Sequence, residues 1–314
     1  MKIFLEEENV KLILSNLRES TINQYQSSWK TFCSWFREEN HITCSLNEVL
    51  SFLNYLLKVK KYASATIVTY KSALADPLSL GFGIDFSSQW LSKATAALYK
   101  IKPVLPQTRV SWSLQKTLET IKQEVSFNKT PLEIATMHTA FLLAIALGSR
   151  IGELQALCRD YVKFSGNEVV LFPNPIYLKK NEREDALREQ LRIKGLPSSC
   201  QKLCPVYNLK KYLDLTSESS CDFIFVDPKK INVRLSKKKL ATLLCNFIKL
   251  ANPGSIPKSH DTRKMATSMA FMGSMTMEDI AKFTGWKSEN VFQKHYFHPI
   301  RELISDVVVL GRPL

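Results

Sequence analysis

Three short patterns in the chain hold residues able to do phosphate chemistry. In ALGSRIGELQAL, Gly148 and Ser149 interrupt an apolar stretch just before Arg150, and Glu153 follows three residues later. An arginine at the start of a new helix can aim its planar guanidinium at a phosphate, while a carboxylate one turn on holds it in place. In KSHDTRKMATSMAF, His260 and Arg263 stand three apart, on one face of a helix whose start is marked by Ser259. An imidazole beside a guanidinium offers proton exchange and charge neutralisation to the same anion. In FTGWKSENVFQKHYFHP, Trp286 follows a Gly285 suited to a helix C-cap, and Tyr296 lies ten positions on. Tyr296 is the only tyrosine after Tyr212, so a C-terminal phenolic nucleophile has no other candidate. Taken singly, each pattern has a plainer reading: an intrahelical ion pair, a chance match in a basic chain, or aromatic packing at helix ends.

Bulk properties limit the partners such a site would meet. The 314 residues suffice for two ordinary domains. The formal net charge of +14 favours a polyanion, nucleic acid first and an anionic membrane surface second. No stretch approaches the roughly 20 apolar residues of a membrane span, and MKIFLEEENVKLIL lacks the features of a secretory signal. The cysteines are scattered without a CxxC pair, and Cys200, Cys204 and Cys221 have poor spacing for zinc. Free thiols in a reducing, intracellular compartment are expected.

The elements that must position the three patterns fall into two parts. The first hundred residues read as helices. STINQYQSSWKTFCSWF opens on hydroxyl residues suited to an N-cap and places Tyr25, Trp29, Phe32, Cys33 and Phe36 at helical spacing. SLNEVLSFLNYLLK, SATIVTYKSALA and SQWLSKATAALYK follow. Lysines lie between their apolar stripes, among them Lys58, Lys60, Lys61, Lys71 and Lys93. They are either ordinary solvated residues or a basic face that grips backbone phosphates. IKPVLPQTR, with two prolines and no periodicity, reads as a linker over about 101–110. From residue 111 onward, SLQKTLETIKQEV and MHTAFLLAIALG are helical, and GNEVVLF, PIYL and QLRIKGL carry strand signals. Helices return with NLKKYLDL and LSKKKLATLLCNFIKLA, then from about Ser259 to the end, with a tail beginning near residue 300. The whole reads as mainly α with a small sheet in the second domain. KKINVRLSKKK is either a set of phosphate contacts, a solvated turn or a nuclear import signal.

In this order and at this spacing the three patterns resemble the tyrosine recombinase (phage integrase) family. The resemblance runs from roughly Ser111 to Pro299, with the helical residues 1–100 resembling that family's core-binding domain. Detail such as AFLLAIALGSRIGELQAL and FPNPIYLKKN looks closest to recombinases of eukaryotic mobile elements of the DIRS-like and Crypton-like kinds. The resemblance implies that Arg150 and Arg263 clamp the non-bridging oxygens of a scissile phosphate, bidentate work that suits arginine. It implies that His260 contacts the same phosphate and helps remove the Tyr296 proton. Trp286 stands where many members have histidine; its indole N–H can donate to a phosphate oxygen but cannot exchange a proton. The family also carries a lysine in the hairpin between the two arginine motifs. IYLKKNERED offers Lys180 by family register, with Lys179 close behind. Glu153 matches a carboxylate that orients its neighbours.

The implied reaction is DNA strand cleavage and rejoining through a 3′-phosphotyrosine at Tyr296, for integration or excision of a mobile element, with no metal and no cofactor. The implied partners are double-stranded DNA and other copies of the chain, four of them synapsing two sites, and in a eukaryotic host the place is the nucleus. Two alternatives share these residues: a type IB topoisomerase that relaxes supercoils without synapsis, and an inactive integrase retained as a DNA-binding regulator.

Overall fold

The computed structural model describes residues 19–103, 112–125, 127–172 and 190–284, with a few positions before residue 19. The chain divides into two compact units, Met1–Gln107 and Thr108–Leu314.

The first unit is helical: α1 Glu19–Glu38, α2 Leu46–Lys58, α3 Ser64–Phe82 and α4 Gln89–Ile101. Its core gathers Phe32 and Trp35 of α1, Val49, Phe52 and Leu56 of α2, Ile67, Leu74 and Leu78 of α3, and Leu91 and Leu98 of α4. Phe32, Val49 and Leu56 belong to apolar stripes legible as helical spacing, whereas Trp35 does not stand out in the sequence. Phe32 meets Phe52 edge to face, with ring centroids 5.1 Å apart. Ser45 caps α2 and Glu48 returns to the Ser45 backbone, closing a capping box. Two boundaries differ from the sequence reading. Helix α1 begins at Glu19, ahead of the hydroxyl residues expected to cap it. Helix α3 runs through Pro77 to Gly83, whose φ of +69° ends it. Proline removes one helical hydrogen bond, but Leu74 and Leu78 flank it in the core and hold the helix together.

The second unit is built around α6, Pro131–Leu147, which is buried along most of its length. Thr130 and Glu133 form its capping box, Pro131 opens it, and Gly148 at φ +52° closes it. Helices α5 Leu114–Lys122, α8 Pro205–Leu215 and α9 Lys237–Ala251 pack around this axis through Ile121, Leu209, Tyr212, Leu240, Leu244 and Phe247. An antiparallel sheet lies alongside, with β1 Val162–Ser165, β2 Glu168–Leu171 and β3 Leu191–Lys194 in that order. Its register pairs Val169 with Phe164 on one side and Ile193 on the other.

The expected strands GNEVVLF and QLRIKGL are β2 and β3; PIYL lies outside the described residues. A second hairpin, β4 Val226–Asp227 with β5 Lys230–Arg234, was not expected. The run KKINVRLSKKK supplies β5 and then the first turn of α9, behind the Ser236 cap. Two short helices follow: α10 Asp261–Met272 and α11 Met277–Thr284. Among the described residues no helix is long and apolar enough to cross a membrane, and no cluster of histidine, cysteine and acidic residues could hold a metal.

Candidate active site

The short helix α7, Ile151–Gln155, carries the first pattern and is pinned at both ends. At its start Arg150 occupies the N-cap in extended backbone, directly after the left-handed Gly148 and the buried Ser149. The Arg150 backbone N–H donates to Glu153 Oε2 at 2.8 Å, and its Nη1 donates to Glu153 Oε1 at 2.7 Å. One carboxylate therefore fixes both the cap and the guanidinium it carries. At its end, Arg234 Nη2 donates to the carbonyl and the side-chain oxygen of Gln155, while its guanidinium stacks on Phe223. Gln155 donates in turn to the Leu235 carbonyl. Part of the basic run thus anchors the arginine-bearing helix, a role its composition does not reveal.

The second pattern begins one residue later than expected. His260, not Ser259, is the N-cap of α10, and its carbonyl accepts from Lys264 N–H. The turn is held by Asp261, a residue the sequence reading passed over. Its buried carboxylate accepts from the Lys258 backbone at 2.7 Å and sits at the positive end of the helix.

The His260 side chain reaches solvent yet is crowded by protein atoms. That desolvation, followed by the charges of Arg150, Lys237, Lys264 and Arg263, pulls its imidazole below the ordinary histidine value. It is neutral at neutral pH and able to accept a proton.

The two arginines stand on one carboxylate but differ in exposure. The Arg150 side chain keeps 24% of its surface. Arg263 keeps 1%, with Nη1 placed 3.5 Å from Glu153 Oε2. Arg263 Nη1 also donates to the Gly148 carbonyl and Nη2 to the Thr284 carbonyl, each at 2.7 Å. It therefore ties together the end of α6, helix α10 and the end of α11. In this state Arg150 is the guanidinium presented outward and Arg263 the one that locks the site from beneath.

Lys179, Lys180, Trp286 and Tyr296 lie outside the described residues. In the first unit, Lys58, Lys60, Lys61 and Lys93 are exposed and Lys71 is half-buried. Lys60 lies over the Tyr55 ring and Lys93 over the Trp90 ring, while Lys71 Nζ reaches Thr95 Oγ1 at 3.2 Å.

Residues 114–302, more than half of the chain, match the Phage integrase family. The chain belongs to the phage integrase family. Its fold matches solved members. The XerH site-specific recombinase, bound to its difH substrate before cleavage, aligns with a TM-score of 0.66 at 15% identity, covering 96% of this chain and 84% of that one. The integrase of the Tn1549 transposon, in complex with transposon right end DNA, gives 0.62 at 12% identity, covering 95% of each chain. A lambda integrase dimer bound to a COC′ core site gives 0.59 at 15% identity, covering 94% of this chain and 95% of that one. No curated protein matches the chain in sequence. At these identities an integrase-family relationship keeps the fold while most side chains differ.

Proposed function

We propose that this integrase-family chain is a site-specific DNA recombinase that cleaves and rejoins strands through a covalent phosphotyrosine at Tyr296. The observation that carries the reading is the cluster itself: two arginines from motifs 113 residues apart share Glu153, with a neutral His260 beside them. The likeness to recombinases solved on their DNA supports it, as does the net charge of +14.

In this mechanism the Tyr296 phenol gives its proton to His260, and its oxygen attacks a backbone phosphorus in line. The bond to the 5′-oxygen breaks, and Lys180, or its neighbour Lys179, supplies the proton that the leaving oxygen takes. Arg150 faces the non-bridging oxygens directly. Arg263 holds the floor of the site and adds its charge from beneath; direct contact with the phosphate requires the Thr284 carbonyl to give way. The Trp286 indole donates one further hydrogen bond. Fixed cations stabilise the pentacoordinate phosphorus, the task that divalent ions perform in other phosphoryl transferases.

Attack by the 5′-hydroxyl of a second duplex reverses the chemistry, and two synapsed sites require four protomers. The exposed lysines of the first unit, Lys58, Lys60, Lys61 and Lys93, with Lys71, contribute phosphate contacts. The quoted motif detail fits the recombinase of a DIRS-like or Crypton-like element, acting in integration or excision, and in a eukaryotic host such a protein works in the nucleus.

The test is to trap the full chain covalently on genomic DNA fragments in excess chelator and sequence what is bound. A defined repeated site, cleaved with a 3′ attachment and weakened steeply by salt, is the expected result. Strict dependence on magnesium, or an adduct on the 5′ side, contradicts the reading. Random sites joined to plasmid relaxation without two-site exchange point to a topoisomerase.

A further inference from the structure

Beneath the arginines lies a small cavity that the proposed chemistry does not use. It encloses about 30 Å³, with Ser149, Glu153, Arg263 and Thr284 on its polar side and Leu147 and Leu191 on its apolar side. Ser149 is 7% exposed, and its hydroxyl exchanges no hydrogen bond with any described residue. This is a telling place for an unengaged hydroxyl. The residue sits between Gly148, whose carbonyl holds Arg263, and Arg150, which presents the outward guanidinium.

Burying a hydroxyl without a partner is costly, so the group needs a use. The cavity has room for one water, and a buried water persists where two or more polar groups hold it. The Ser149 hydroxyl is the first such group. The Glu153 carboxylate is the second: its Oε2 serves the Arg150 backbone and faces Arg263, while Oε1 takes Arg150 Nη1 and keeps a lone pair.

We propose that Ser149 is a positioning residue for the arginine pair: its hydroxyl and one enclosed water bridge to Glu153 and hold that carboxylate between Arg150 and Arg263. The inference rests on the recombinase reading and adds a residue to it. Glu153 sets the distance between the two guanidinium groups, so any freedom in its carboxylate is passed to the arginine that faces the phosphate. A leucine at this position would fill the cavity with hydrocarbon and leave the remaining Glu153 lone pair unanswered in a site of low dielectric.

The test compares Ser149→Thr with Ser149→Val in the full chain. The two side chains have one shape and differ by a hydroxyl against a methyl, so any cost of added bulk is shared. With the duplex recovered on the wild-type protein as substrate, Ser149→Val should form covalent complex about tenfold more slowly than Ser149→Thr, the scale of one lost hydrogen bond to a charged group. DNA affinity and thermal midpoint should be alike for the two. A high-resolution crystal structure of the wild-type chain should show one water within hydrogen-bonding distance of Ser149 Oγ and Glu153, absent from Ser149→Val. Equal cleavage by the two variants, or a dry cavity in the wild type, overturns the proposal. Failure of the wild type to form any adduct would sink the recombinase reading instead, and the crystal structure would still decide the bridge.

Discussion

Arg263 Nη1 donates to the carbonyl oxygen of Gly148 at 2.7 Å, joining two motifs 115 residues apart into one site. Gly148 can aim that carbonyl inward because it adopts φ +52°, a left-handed conformation that glycine enters at little cost. The same guanidinium takes the Thr284 carbonyl and faces Glu153. One buried cation therefore organises α6, α7, α10 and α11 around the half-buried Arg150.

This arrangement predicts that the two arginines fail differently when removed. Arg263→Ala leaves two carbonyls and part of a carboxylate unanswered in the interior, and should cost about 3–5 kcal/mol in denaturant unfolding. Arg150→Ala removes the more exposed guanidinium and leaves Glu153 facing Arg263, so it should cost less than Arg263→Ala. Yet it should slow cleavage by about 10²–10³-fold, as when one transition-state donor is lost. Lysine should rescue neither, since it lacks the planar fork. Equal stability losses in the two variants would contradict the division of labour.

His260 gives a pH signature. Desolvation and four neighbouring cations keep its imidazole below the ordinary value, so the base form survives to lower pH than a free histidine allows. The acid limb of the cleavage rate should have its midpoint below about 6.5. Lys237→Ala removes one of those cations, which makes protonation easier and should move the midpoint upward. A midpoint that ignores Lys237 would separate His260 from the proton transfer.

A second histidine acts on stability alone. His138 lies inside α6 against Phe247, with ring centroids 5.4 Å apart, and burial lowers its pKa to about 4. Between the ordinary value near 6.5 and about 4, the unfolded chain binds a proton that the folded chain refuses. Stability is therefore full above this window and lost as pH falls through it, by on the order of 3 kcal/mol. His138→Phe should flatten the unfolding free energy across that range. An unchanged slope would show that other groups set it.

The main helices were legible because each buries one apolar stripe. Phe32, Val49 and Leu56 occupy core positions that their spacing marks out. Arg150, Glu153, His260 and Arg263 were legible for another reason: each motif alone has a plainer reading, but their order and spacing together resemble the integrase family. The contacts made by backbone were hidden. No sequence pattern announces that the Gly148 and Thr284 carbonyls receive Arg263, because any residue type carries a carbonyl there. The β4–β5 hairpin was missed because Lys230, Asn232 and Arg234 mask a short exposed strand as a basic run. The segment SATIVTYKSALA stops short of the observed end of α3, because packing of Leu74 and Leu78 carries the helix past Pro77 despite its local penalty.

The hairpin lysine can be assigned by leaving-group chemistry. If Lys180 protonates the departing 5′-oxygen, Lys180→Ala should bind DNA normally and cleave it very slowly. A substrate with bridging 5′-sulfur should restore most of the rate, because a thiolate leaves without an acid. Arg150→Ala should gain much less, since it acts on the non-bridging oxygens. Rescue of Lys179→Ala instead would move the assignment by one residue, and rescue of neither would place the acid elsewhere.

Every step of the proposed exchange depends on Tyr296 carrying the DNA. The decisive measurement is peptide mass spectrometry on the trapped protein–DNA adduct after nuclease digestion, run beside Tyr296→Phe. The expected result is one modified peptide, with the nucleotide on Tyr296, and a Tyr296→Phe variant that binds DNA with unchanged affinity and forms no adduct. An adduct at normal yield in Tyr296→Phe, or a nucleotide mapped to any other side chain, contradicts it.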